Sequence, residues 1–192
     1  MRFPTHFVSW LTACITSVSY RIHVNGDIGD LFKGGRGLKQ GDPLSPLLFV
    51  LSMEYFTRLM EHASTNPKFG FHPSCKALRL SHLMFAEDVM IFCKAKPETL
   101  SIIHNILMTF YQCTGLKVNQ TKSQMAFGGC SPSLQQQCLD LTGFQEGSLP
   151  LQYLGIPITA SRLTKLECMT LVEKITSIIR LWSTKYLLCR ES

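Results

Sequence analysis

Two carboxylates stand side by side in LMFAEDVMIF: Glu87 and Asp88, with four mostly apolar residues on either side. Burying one ionised carboxylate without a partner is costly, and a like charge beside it adds repulsion. A hairpin turn answers that cost by placing both acids in water, and Asp is common in turns. A divalent cation answers it differently, by converting the repulsive pair into a site, because hard cations take carboxylate oxygens as ligands. Taken alone, the stretch fits the turn more readily.

Three further stretches allow chemistry, and each has a plainer explanation. GLKQGDPLSP holds Gly37 and Gly41, which can supply unusual backbone angles in a loop that opens a helix. The same loop would let a base pair or nucleotide approach the backbone closely, with Gln40 offering both donor and acceptor. GLKVNQTKSQMAFGG reads as a helix end, a loop and a strand, with Lys117 and Lys122 as surface lysines, and LPLQYLGIPI reads as an apolar strand.

Composition narrows the classes. The 192 residues fit one domain, or one domain and the start of another, and 45% hydrophobic with 17% charged residues is a globular composition. Nineteen basic against thirteen acidic residues gives +6, compatible with a polyanionic partner. The eight cysteines form no C-x-x-C pair and no Cys/His cluster at zinc spacing, which points to reduced, mostly buried thiols without a disulfide-linked partner. No apolar run approaches the roughly 18 residues of a membrane span. The opening MRFPTHFVSWLTACITSVS has the look of a targeting peptide, but Pro4, His6 and Trp10 interrupt it. The expected location is intracellular, nuclear or cytoplasmic.

The elements that must position these residues follow from periodicity. Phe7, Val8, Trp10, Leu11 and Ile15 predict a first helix. YRIHVNGDIGDLF predicts a hairpin turning at Asn25-Gly26. Leu47, Leu48, Leu51, Tyr55, Leu59 and Met60 predict a helix over 44–62, with Asp42 as its N-cap and Pro43 as its first residue. ALRLSHLMFA and DVMIFCKA predict a strand pair around Glu87. A helix from Pro97 should close at Gly115, and a short strand, a short helix capped by Ser131 and the LPLQYLGIPI strand should follow. A last amphipathic helix is expected over 163–182. With no regular strand-helix-strand units, the expected class is α+β: an antiparallel sheet with helices packed on one face.

The order and spacing of the four stretches resemble the palm of reverse transcriptases, and within them the non-LTR (LINE-type) retrotransposon group, especially its plant members. QGDPLSP and the F-A-x-D hairpin are the most specific parts, and the resemblance runs from MRFPTHFVSW to LVEKITSIIRLW. An organellar intron maturase would share a palm, but LPLQYLGIPI and KITSIIRLW match the LINE pattern better. The resemblance implies a partial polymerase palm over 1–160 and the truncated start of a helical thumb over 161–192. It implies RNA-directed DNA polymerisation, with two-metal nucleotidyl transfer to a primer 3′ end, on an RNA template with a DNA primer and dNTP. Glu87 and Asp88 take the positions that hold Mg2+ or Mn2+. Lys122 matches a lysine proposed to protonate the leaving pyrophosphate. Gln40, Gly41, Asp42, Pro43, Phe85 and Ala86 fall at nucleotide- and template-binding positions, and Tyr153, Leu154 and Gly155 at the primer grip.

Three departures shape the expected activity. The family's first palm aspartate, in a D-x-x-K-A-[FY]-D-like strand, has no counterpart, so weak or absent metal binding is expected from this chain alone, and the family's Mg2+ or Mn2+ site only where that third carboxylate is present. Glu87 stands where the family has Asp, one methylene longer. Mg2+ demands octahedral geometry at about 2.0–2.1 Å, and a misplacement of about 1 Å can cost about a hundredfold in rate. The end reads WSTKYLLCRES where the family runs W-x-x-K-x-L-S-x-A-G-R, and Leu188-Cys189-Arg190-Glu191 is what a shift of reading frame would leave. Genomic sequence around Lys185 with no coding sense for A-G-R in another frame would contradict the shift. The expectation is a polymerase fragment inactive on its own; the alternative is a non-catalytic retrotransposon remnant with at most nucleic-acid binding.

Overall fold

Proline and glycine punctuate the first half of the chain where its helices begin and end. The computed structural model describes residues 3–35, 37–159 and 164–188. Helix α1 spans Thr5–Thr16 and buries no residue. It leads into strands β1 (Ser19–Tyr20), β2 (His23–Val24), β3 (Asp27–Ile28) and β4 (Phe32–Lys33). β2 pairs with β3 across Asn25-Gly26, both at positive φ, as the Asn-Gly signal predicts. β1 pairs with β4 outside them.

Helix α2 covers Ser45–Ser64, two residues later than a start at Pro43. The expected cap becomes a turn: Asp42 Oδ1 accepts from the Leu44 N–H at 2.8 Å, and the Ser45 N–H donates to the Asp42 carbonyl at 3.1 Å. The carboxylate closes its ring two residues on and so organises the turn before the helix. Helix α3 (Pro97–Thr114) begins with its proline and ends at Gly115, whose φ of 76° is the left-handed cap expected there. Phe56 and Met60 of α2 pack with Leu100, Ile103, Ile106 and Phe110 of α3, and the Phe56 and Phe110 rings meet edge to face at 5.3 Å. Between the two helices lie a 3-10 turn, Pro73–Cys75, and the hairpin of β5 (His82–Phe85) and β6 (Asp88–Ile91).

The chain divides into two compact units, Met1–Asn119 and Gln120–Ser192. In the second, β7 (Gln124–Ala126), α4 (Pro132–Thr142) and β8 (Gln145–Gly147) form a strand-helix-strand unit with parallel strands. That corrects the reading of a chain without such units: the 11-residue α4, with Cys138 and Thr142 buried, is the crossover a parallel pair requires. Ser131 precedes α4 without a side-chain capping bond; its hydroxyl meets that of Ser133 at 3.2 Å. LPLQYLGIPI is a hairpin rather than one strand, with β9 (Leu151–Tyr153) and β10 (Ile156–Ile158) joined by Leu154-Gly155. Helix α5 runs Lys165–Leu188, and residues 160–163 and 189–192, including Leu163 and Cys189, lie outside the described residues.

The α+β class holds, but the single antiparallel sheet does not form. Among the described residues the strands make five two-stranded ladders, four antiparallel and one parallel. Each strand is two to four residues long and finds its partner across a turn, one helix or, for β1 and β4, the β2–β3 hairpin. The thiols also depart from expectation. Among the described cysteines only Cys138 is buried, while Cys14, Cys113 and Cys168 are exposed, Cys14 because α1 buries no face.

Candidate metal and nucleotide site

The adjacent acids stand at the tip of the β5–β6 hairpin. Phe85 pairs with Asp88 as the last rung, leaving Ala86 and Glu87 as the two-residue turn. Ala86 takes φ +49°, a left-handed conformation uncommon for a residue with a Cβ. Alternation along the strands places Leu83, Phe85, Asp88 and Met90 on one face and His82, Met84, Val89 and Ile91 on the other. Glu87 and Asp88 are both exposed, so water solvates the charge pair that the apolar run seemed to bury.

The opposite face anchors the hairpin. His82 is half-buried, its ring edge-on to Phe56 of α2 at 5.8 Å. Its Nδ1 meets the Ser81 hydroxyl at 2.9 Å and its Nε2 the Thr57 hydroxyl at 3.4 Å. Burial pushes the His82 pKa below the ordinary imidazole value, with Glu61 pulling the other way. At the base, the Phe92 N–H donates to the Ser81 carbonyl at 2.8 Å, and the Lys94 N–H to that of Gly70, also at 2.8 Å. Sequence reasoning passed over His82. The signal was there in HLMF, where alternation sets His82 opposite in facing to Phe85.

Gln40, Gly41, Asp42 and Pro43 form the loop that feeds α2. Gly41 has φ +81° with open space where a Cβ would stand, so backbone conformation rather than crowding calls for glycine. The Ser45 hydroxyl donates to the Lys39 carbonyl at 2.7 Å, tying the loop to the helix start. A shallow cavity between the end of α1, Tyr20 and this loop is bordered by Lys39, Asp42 and Ser45. Helix α2 thus carries the loop at its start, and Thr57, twelve residues on, receives the hairpin about 18 Å along the axis.

The remaining predicted positions lie in the second unit. Lys122 is exposed in the turn before β7. Tyr153 ends β9, its hydroxyl buried without a hydrogen-bond partner among the described residues. Leu154 and Gly155 turn with φ +53° and +77°, and a Cβ at Gly155 would collide with the Lys174 ammonium of α5.

As a donor set, Glu87 and Asp88 fit one hard cation in part. Mg2+ commonly takes one or two carboxylates and completes its shell with water and phosphate oxygens. Among the described residues no group of three His, Cys, Asp or Glu side chains gathers to hold a metal ion.

Comparison with known proteins places the chain in a family. Residues 1–158 match the model of reverse transcriptases (RNA-dependent DNA polymerases). An uncharacterized mitochondrial protein of Arabidopsis thaliana is 33% identical over 110 residues, covering 57% of this chain and 89% of that protein. The Pol polyprotein from the type-2 retrotransposable element R2DM of Drosophila melanogaster is 28% identical over 169 residues, 82% of this chain but 15% of the polyprotein. That from the type-1 element R2 of Popillia japonica is 28% identical over 116 residues, 59% of this chain and 18% of its own length. This chain therefore spans less than a fifth of either polyprotein. It belongs to the reverse transcriptase family, among the non-LTR retrotransposon members.

Proposed function

We propose that the chain is a palm segment of an RNA-directed DNA polymerase, over 1–160, joined to the start of a thumb over 161–192. In this reading Glu87 and Asp88 hold Mg2+ or Mn2+, and Lys122 compensates charge on the leaving pyrophosphate. The Gln40–Pro43 loop, with Phe85 and Ala86, contacts nucleotide and template, while Tyr153, Leu154 and Gly155 steady the primer. The ions would neutralise the developing charge on the attacking and leaving oxygens of an in-line phosphoryl transfer. The observation that carries the reading is the hairpin: two adjacent exposed carboxylates at its tip, with the opposite face packed on the helix that the QGDP loop opens.

The same hairpin sets the expected activity. Two carboxylates rather than three, one of them Glu87, leave the ions short of protein ligands, so the chain by itself extends no primer. A primer-extension assay with an RNA template, DNA primer, dNTPs and Mg2+ tests this. The expected result is no incorporation above the level of Asp88→Ala. Robust incorporation that Asp88→Ala abolishes would overturn the inactivity, and incorporation that survives it would overturn the assignment of the acids.

A further inference from the structure

The end of the β5–β6 hairpin away from its acidic tip has the opposite charge. From residue 62 to 86, and again from 89 to 97, the sequence contains no acidic residue, yet these stretches carry Lys68, Lys76, Arg79, Lys94 and Lys96. The fold brings the two stretches together. Phe71 pairs with Cys93, and the Lys94 N–H donates to the Gly70 carbonyl at 2.8 Å. The Arg79 guanidinium carbon lies 5.9 Å from the centre of the Phe71 ring. The Thr99 hydroxyl, fully buried, accepts from the Gly70 N–H at 3.0 Å and donates to the Lys68 carbonyl at 3.3 Å. Lys96 flanks the same point as the residue before α3.

All five cations are exposed, and among the described residues none lies within ion-pair distance of a carboxylate. An ordinary solvated face intersperses both signs. Here one sign is concentrated on backbone fixed by long-range hydrogen bonds. Arg79 is held at φ +50°, so its place is set by the surrounding turn.

We infer that this patch is a second nucleic-acid contact, which takes the phosphate backbone of an RNA or DNA strand at the base of the hairpin, away from the Glu87-Asp88 tip. Five fixed cations outside ion-pair distance of any carboxylate, with Glu98 in the first turn of α3 as the one acid beside them, suit a polyanion of regular charge spacing, and Arg79 can meet a phosphate with two parallel N–H donors. The inference rests on the polymerase reading for its class of partner.

The test is binding of the full chain to a fluorescent RNA–DNA hybrid duplex, followed by anisotropy between about 50 and 200 mM salt. The log–log salt slope of the triple variant Lys68→Ala, Lys76→Ala, Lys94→Ala should fall in magnitude by about 2–3, since each phosphate neutralised by a cation contributes roughly 0.7–0.9. Arg79→Lys should keep the slope. Arg58→Ala should also keep it, since Arg58 is already paired with Glu54 at 2.9 Å on α2. A slope unchanged in the triple variant, checked as folded by circular dichroism, would overturn the inference. So would a triple variant that still binds the duplex but loses attachment to phosphatidylserine vesicles, because the patch would then serve a membrane. Wild-type binding with the steep slope, alongside primer extension indifferent to Asp88→Ala, would refute the placing of the catalytic acids and leave this contact standing.

Discussion

Ala86 is the residue on which the acidic tip turns, and its left-handed backbone carries a cost that glycine would not. Ala86→Gly should therefore stabilise the chain by about 0.5–1 kcal/mol in urea unfolding, the relief of strain exceeding glycine's entropic cost. A loss of stability would contradict the turn geometry. Thr99, wholly buried, is the other decisive residue. Thr99→Val keeps the shape but leaves the Gly70 N–H without its acceptor, and should cost about 1–3 kcal/mol by the same measurement. At this scale the sequence was legible where chemistry is local. Glu87 and Asp88 announce themselves as paired acids, and Gly115 as a helix cap. Thr99 did not, because its partners are 29 and 31 positions away and nothing in the surrounding run marks it.

The element that matters most is the β5–β6 hairpin, held on α2 by His82 and on the α2–α3 core by its neighbours. Neutral His82 is favoured in the folded chain because burial lowers its pKa, whereas the unfolded chain has the ordinary value near ~6.5. Between those two values the unfolded state binds more protons, so stability rises with pH through that window and falls as the pH is lowered through it, levelling off once both states carry the proton. Urea midpoints measured from pH 5 to 7.5 should show this rise, and His82→Gln should flatten it; an unchanged pH dependence in the variant would contradict the anchor. Phe56, with 2% of its surface exposed and touching both His82 and Phe110, should cost about 3–5 kcal/mol when truncated to alanine. Elements with their own punctuation, such as α3 between Pro97 and Gly115, could be read from the sequence. The parallel β7–β8 pair could not, since a three-residue strand does not declare its partner and α4 alone decides the direction. For the same reason the single sheet expected from several strand signals resolves into separate ladders.

At the scale of the whole molecule, charge is arranged rather than spread. A net charge of +6 is modest, but the Lys68–Arg79 and Lys94–Lys96 stretches concentrate cations at one end of a hairpin whose other end carries two acids. The proposed palm segment would account for both ends at once, the acids meeting metal ions and the cations meeting phosphate. The central claim is the role of the acidic tip, and a titration of the isotope-labelled full chain with Mn2+, followed by paramagnetic broadening of backbone amides, tests it most directly. The account predicts weak, millimolar binding in which Ala86, Glu87 and Asp88 broaden first, an effect removed by Asp88→Asn. Broadening that starts elsewhere, for example at Asp27 and Asp30, or that survives Asp88→Asn, would contradict it.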